Sequence, residues 1–481
     1  MNYRKVAHYL GIILLIEAAL MFLPVAVGLI YREKQIVSFL ITIGIVAAVG
    51  TILYKRKPKK NNLYSKEGYM IVGLAWLLMS AFGALPMFIS GSVSNYIDAF
   101  FETVSGFTTT GSTILSDIES LPRCILFWRS FTHFIGGMGI LVFVLAVIPR
   151  SEGSSIHIMK AEVPGPVVGK LVSKVTVTAR ILYGIYIGMT VLLIILLKIV
   201  GLPLFDSVIS AFGTAGTGGF SVMNNSIEGY QNPAAEVIIS IFMLLFGLNF
   251  NLYYLLLIKQ WRSALKDEEM RWYLGIIAAA TFIITLDLTV TRHPFGESVR
   301  YAFFQVTSII STTGFSSVDY DLWPSITKAV LLVLMFIGGC TGSTGGGLKV
   351  QRTAVLIKNS LRSVRKAANP RRVETIKMNG RTLDETIVSG ITGYFAMFMM
   401  IVALSVIIVA LDGFDLTTTL TSVFTCINNV GPGFALVGPA GNFSDFSYLS
   451  KIVLSFNMLA GRLELIPIMM LFSKLGIASD S

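Results

Sequence analysis

The sequence predicts an all-α polytopic membrane protein, with four pseudo-repeated helix–pore-loop–helix units around one pore and two extra N-terminal transmembrane helices. Three observations predict it. The 481 residues are 54% hydrophobic and only 14% charged, against about 25% charged in soluble domains, and the mean hydropathy is +0.73. Several apolar runs approach or exceed the ~20 residues that cross a bilayer. Four short Gly-bearing motifs recur between long apolar stretches: Thr109-Thr110-Gly111-Ser112, Thr217-Gly218-Gly219-Phe220, Thr312-Thr313-Gly314-Phe315 and Val430-Gly431-Pro432-Gly433. Taken on Gly111, Gly218, Gly314 and Gly431, their spacings are 107, 96 and 117 residues.

The first apolar run, 8–30, is long, contains Glu17 and lacks a small-x-small cleavage site, so it reads as a retained span, not a signal peptide. A charge at mid-membrane costs roughly 2.5–3.5 kcal/mol on insertion scales, so Glu17 is expected to face another helix. A second span follows at 35–54. Eight more fall in four pairs: 68–91 and 125–149, 177–201 and 233–258, 271–291 and 325–348, 386–411 and 449–473. Inside each pair lies a segment too short to cross, at 96–108, 204–215, 297–311 and 415–428, each read as a re-entrant half-helix ending at a Gly motif. Irregular backbone at membrane depth is tolerated only where it is buried or lines a watery cavity. The chain divides accordingly into 1–62 (two N-terminal helices), then pore units 63–165, 166–265, 266–380 (with a gating loop) and 381–481.

Basic residues set the sidedness. Lys55-Arg56-Lys57-Pro58-Lys59-Lys60, the stretch Lys160 to Arg180, the group Lys259, Arg262 and Lys266, and Lys349 to Lys377 all fall on one side, which is therefore cytoplasmic, as are both termini. The net charge of +11 thus reports orientation and lipid contact, not nucleic-acid binding. The 349–385 loop exceeds what orientation requires and offers a docking surface for a cytoplasmic protein. Asp117, Glu119, Glu228, Asp319 and Asp321 fall on the opposite face, either as solvated loop charges or as groups that enrich cations at an entrance. Three cysteines (Cys124, Cys340, Cys426) and four histidines (His8, His133, His157, His293) are scattered, without disulfide or metal spacing.

A Thr/Val-Gly step offers backbone carbonyls, and a ring of carbonyls replaces the water shell of a dehydrated alkali cation. Half-helices that aim their C-terminal ends inward add negative dipole ends. With no carboxylate ring needed, neutral oxygens suit a large, weakly hydrated ion such as potassium. Close helix packing by small residues is the competing explanation; it accounts for one or two motifs but not four at matching places.

At these motifs the chain resembles the Trk/Ktr/HKT superfamily of potassium transporters, most closely its TrkH branch. The resemblance also rests on Trp128-Arg129, on Ile135-Gly136-Gly137-Met138-Gly139, on the run from Phe336 to Lys349 and on Gly461-Arg462-Leu463-Glu464. The two extra N-terminal spans favour that branch over the eight-span KtrB branch. The resemblance implies potassium at Thr109, Thr110 and Gly111; at Gly216, Thr217 and Gly218; at Thr312, Thr313 and Gly314; and at Asn429, Val430 and Gly431. In plant relatives a first-filter Ser goes with sodium transport, so a glycine reads as potassium-preferring. It further implies a homodimer in a bacterial cell (inner) membrane and a cytoplasmic ring of nucleotide-binding RCK (TrkA-like) subunits. This chain has no GxGxxG, so nucleotide sensing belongs to that partner; no cofactor beyond the transported potassium is expected. Two departures stand out: Asn429-Val430-Gly431-Pro432 loses one Thr oxygen, and Ala215-Gly216-Thr217 has no Thr-Thr pair.

Gly345-Gly346-Gly347 is expected to break the second helix of the third unit, since each glycine costs about 1 kcal/mol in a helix. It is not a phosphate loop: Leu348 separates Gly347 from Lys349, and Val350 stands where Ser or Thr is required. In the family this is the intramembrane loop that blocks the pore. Arg462, mid-span, is expected to act with Gly345, Gly346, Gly347 and Lys349 as a gate; a structural salt bridge, for instance with Glu464, is the simpler explanation. The leading functional reading is a gated, potassium-selective uptake pore driven by membrane potential, where about 2.3 kcal/mol per 100 mV suffices for about fiftyfold accumulation. A proton- or sodium-coupled symporter is the alternative, with Glu17 and Glu464 as its candidate groups. An enzyme would need converging His, Asp, Cys or Ser groups, and none is evident.

Overall fold

The computed structural model describes residues 3–56, 65–139, 175–291, 294–371 and 373–463. Six helical stretches in it are long and apolar enough to cross a membrane: Tyr3–Tyr31, Ile36–Tyr54, Glu67–Ile89, Val177–Ile199, Glu268–Val290 and Glu385–Asp412. The expected span at 233–258 is instead two helices, Pro233–Phe246 and Phe250–Leu257, meeting at 90°. The one at 325–348 is helical only over Ser325–Ile337. Those at 125–149 and 449–473 are helical over Arg123–Gly137 and Tyr448–Leu463; their remainders lie outside the described residues, as do Lys57–Lys60, most of Lys160 to Arg180, and Glu464.

The N-terminal hairpin closes through small residues. A β-carbon on Gly11 would sit 2.7 Å from the Gly50 carbonyl oxygen, and one on Gly50 3.2 Å from that of Gly11, the close backbone approach that small residues allow between membrane helices. Glu33, just past this hairpin's first span, then receives the backbone N–H groups of Arg123 (2.6 Å) and Cys124 (2.9 Å). A carboxylate at a helix N-terminus satisfies orphan donors and complements the dipole. The extra helices are thereby fixed to the first pore unit. Glu17 is buried, as expected of a charge kept from lipid.

Four short helices occupy the expected re-entrant intervals: Tyr96–Phe107, Leu204–Gly216, Phe295–Ile310 and Leu416–Asn428. At 12 to 16 residues each is too short to cross. Two of them start with an ordinary side-chain cap: Asn95 accepts from Ile97 N (2.7 Å) and Asp415 from Thr418 N (3.1 Å). The other two start after Pro203 and Pro294, without a side-chain cap. On the far side, the basic helix Val350–Ala368 packs beside a two-stranded hairpin, Lys377–Met378 with Arg381–Thr382. Asn379 and Gly380 turn that hairpin at φ 51° and 74°, the pairing a tight hairpin turn demands. Arg362 to Glu385 and Lys358 to Glu268 tie this layer to the spans, and Arg365 to Glu374 ties the helix to the segment before the hairpin.

Candidate functional site

All four short helices end in the same turn. Thr109, Thr217, Thr312 and Asn429 adopt the left-handed conformation at φ 54°, 54°, 60° and 54°. The next residue's N–H reaches back five residues: Thr110 to Ser105 (2.9 Å), Gly218 to Gly213 (2.8 Å), Thr313 to Ser308 (2.9 Å) and Val430 to Thr425 (2.9 Å). This is a Schellman cap. Only Asn429 suits it intrinsically; a β-branched residue there is strained by about 1–3 kcal/mol. Two residues after each left-handed position comes a glycine of positive φ: Gly111 (85°), Gly219 (75°), Gly314 (81°) and Gly431 (101°).

These glycines close a ring. A β-carbon on Gly111 would collide with the carbonyl oxygen of Gly218, one on Gly219 with that of Thr313, one on Gly314 with that of Val430, and one on Gly431 would lie 2.8 Å from that of Thr110. Each turn therefore packs on the next and the fourth returns to the first. The ring corrects the register read from sequence in the second motif. Gly219, not Gly218, is the counterpart of Gly111, Gly314 and Gly431; Gly218 matches Thr110, and Gly216 merely ends the helix. The same four glycines line a cavity of ≈ 140 Å³ together with Ser112, Phe220 and Arg129. Four helix C-termini bring their negative dipole ends to one ring of neutral oxygens, an arrangement suited to a dehydrated monovalent cation.

Side chains brace the ring from behind. Asn429 Nδ2 donates to Thr110 Oγ1 and to the Met458 carbonyl, both at 2.9 Å. Ser112 Oγ donates to the Gly431 carbonyl (3.1 Å), and Ser308 Oγ to that of Phe315 (2.6 Å). Glu102 is paired with Arg129 at 2.5 Å and also receives Thr113 Oγ1 (2.9 Å) and Ile114 N (3.0 Å). Arg129 continues to the Ser221 carbonyl (3.2 Å) and lies 3.5 Å over the Phe220 ring, so one buried ion pair joins the first and second turns. Sequence reasoning named Arg129 only as part of a motif and missed Glu102. The signal was available: an acid and a base inside segments read as membrane-embedded are each other's natural partners.

The five outer-face acids do not line the cavity. Asp117 and Glu119 receive Asn224 Nδ2 (3.2 Å) and Asn224 N (3.0 Å), and the Asn224 bond holds the Asp117 carboxyl below its ordinary pKa. Asp321 receives Ala435 N (3.0 Å), and Asp319 receives Asp321 N (3.0 Å). Burial, then the charge of Asp319, pushes Glu228 up. Asp117, Glu119, Asp319 and Asp321 thus fasten loops.

On the other side of the ring lies the stretch from Gly338 to Lys349, which is not helical. Gly346 N donates to Thr312 Oγ1 at 2.6 Å, and a β-carbon on Gly345 would lie 2.8 Å from the Ser311 carbonyl. Lys349 Nζ donates to the Gly345 carbonyl. Arg462 donates to the carbonyls of Thr344 (2.6 Å), Gly136 (2.5 Å) and Gly137 (2.6 Å). Glu269 Oε1 receives Thr341 N (2.6 Å) and Gln351 N (3.2 Å), pinning both ends of the loop. The bend at Phe246–Phe250 exists for this loop: Cys340 N donates to the Gly247 carbonyl (2.9 Å) and Phe250 N to that of Gly342 (3.1 Å). Gly345, Gly346, Gly347, Lys349 and Arg462 are thus one contiguous group abutting the ring.

Fold and site define a multi-pass helical membrane protein of the ion-transport class. The TrkH family, described as cation transport proteins, matches residues 34–480. The chain is 36% identical over 481 residues to the Trk system potassium uptake protein TrkH of Salmonella typhimurium, across 98% of this chain and 99% of that one. Identity to the protein of the same name from Escherichia coli (strain K12) is 35%, with the same coverage. The crystal structure of the potassium transporter TrkH from Vibrio parahaemolyticus matches with a TM-score of 0.90 at 29% identity, covering 99% of this chain and 100% of that one. The chain belongs to the TrkH family of cation transport proteins.

Proposed function

We propose that this chain takes potassium up across a bacterial cell membrane through a gated, selective pore, with the membrane potential as driving force. The closed ring of Gly111, Gly219, Gly314 and Gly431 against neighbouring carbonyls carries the reading; the relatives' potassium-uptake names support the ion. Thr109, Thr110, Gly111, Thr217, Gly218, Gly219, Thr312, Thr313, Gly314, Asn429, Val430 and Gly431 supply the oxygen ligands, as four pore units placed around one axis. The loop at Gly345–Gly347, with Lys349 and Arg462, is the gate. The basic helix Val350–Ala368, whose Ile357, Leu361 and Val364 are exposed, is the docking face for a cytoplasmic nucleotide-binding RCK ring, and the chain works as a homodimer with both termini cytoplasmic.

The test is rubidium-tracer uptake into potassium-loaded liposomes containing the purified protein. Uptake driven by potential, blocked by external potassium and indifferent to proton and sodium gradients is the expected result. Uptake that needs a proton or sodium gradient would establish coupled symport instead.

A further inference from the structure

Three of the four ring positions carry a branched side chain behind the carbonyl: Thr110, Thr313 and Val430, all fully buried. Thr110 Oγ1 is bonded to Thr108 Oγ1 (2.8 Å) and Thr313 Oγ1 to Ser311 Oγ (2.7 Å). The fourth position is Gly218, which has none. The space is nonetheless filled. A β-carbon on Gly218 would collide with Cγ and Nδ1 of the His133 imidazole, and one on Gly216 would collide with the His133 carbonyl. His133 is fully buried and stacks on Phe220 with ring centroids 4.1 Å apart and planes at 25°; Phe220 in turn carries Arg129 on its ring.

We infer that His133 is a positioning residue for the second turn: its ring stands in for the missing side chain at Gly218 and fixes the carbonyl that Gly111 packs against. This rests on reading the ring as the selective pathway. Glycine has the widest backbone freedom of any residue, so beyond its bond to Gly213 Gly218 needs the flat group wedged against it from another helix to hold a defined carbonyl. Emptying that space leaves a void that the surroundings close only partly, and the ring loses one fixed edge.

The experiment compares rubidium and sodium tracer uptake into liposomes for the wild-type chain, His133→Ala, His133→Phe, Gly218→Thr and the double variant His133→Ala/Gly218→Thr, with Gly314→Ser as a control. His133→Ala is expected to retain uptake while its rubidium-to-sodium ratio falls about tenfold, equivalent to about 1.4 kcal/mol of discrimination. His133→Phe, which keeps a flat ring, is expected to keep the ratio. Gly218→Thr alone is expected to lose uptake, and the double variant to recover both uptake and ratio. A wild-type ratio in His133→Ala, or a folded double variant no more selective than His133→Ala, overturns the inference. If His133→Ala does not fold, the double variant decides: recovery of folding and ratio supports the role, and its absence overturns it. If Gly314→Ser also leaves the ratio unchanged, the pathway reading itself fails; if Gly314→Ser destroys discrimination and His133→Ala does not, only the positioning role fails.

Discussion

The carbonyl oxygen of Val430 lies where the β-carbon of any larger residue at Gly314 would have to go. The residues are 116 positions apart in a chain whose short helices never cross the membrane, and the same relation recurs from Gly111 to Gly218, from Gly219 to Thr313 and from Gly431 to Thr110. The four turns, three of them strained, hold because each is wedged by its neighbour. Local strain of this kind persists only where the surroundings over-determine it.

Thr312 joins the ring to the loop beneath it through Gly346 N. Thr312→Val keeps the shape and removes the acceptor, a loss of about 1 kcal/mol for one hydrogen bond. Basal uptake without any cytoplasmic partner is expected to rise about fivefold. Uptake equal to wild type would show that this bond does not hold the loop.

Arg462 spans from the loop carbonyl of Thr344 to the helix-end carbonyls of Gly136 and Gly137. Hydrogen bonds to a charged donor are worth roughly 1.5–3 kcal/mol each, so Arg462→Ala is expected to raise partner-independent uptake at least about tenfold. Unchanged uptake and unchanged partner dependence would remove Arg462 from the gate.

Glu102→Gln leaves the Arg129 guanidinium buried without its counter-charge. Removing one partner of a buried pair costs about 3–5 kcal/mol. The thermal unfolding midpoint in detergent is expected to drop clearly, and Glu102→Gln/Arg129→Leu to recover part of it. A midpoint unmoved by Glu102→Gln would mean that the pair contributes nothing to the bracing.

Asn429→Thr makes the fourth turn resemble the other three, yet it is expected to weaken the protein. It replaces a residue that tolerates the left-handed conformation with a β-branched one and removes the two bonds to Thr110 and Met458, together about 2–3 kcal/mol. A raised unfolding midpoint would contradict this.

The four short helices were legible in the sequence to within about two residues, because each is an amphipathic run closed by a Gly turn and too short to span. The register of the second turn was not. Gly218 and Gly219 both satisfy a local pattern, and only the contact with Thr313, far along the chain, selects Gly219. His133 was read as one of four scattered histidines because its partner, Gly218, declares itself by lacking a side chain. Glu102 was overlooked since its base lies 27 positions away on another helix. The break near Gly345–Gly347 was foreseen from helix propensity, but the helix stops earlier, at Ile337, where Gly338 takes up φ 74° against the Gly346 and Gly347 backbone.

Selection of ions at the ring is tested by the rubidium-to-sodium uptake ratio of Gly219→Ser, measured beside Gly314→Ser in the same liposomes. A hydroxymethyl group at either position meets a neighbour's carbonyl, so both variants are expected to lose uptake or discrimination to the same extent. Wild-type uptake with a wild-type ratio in both would place selection elsewhere.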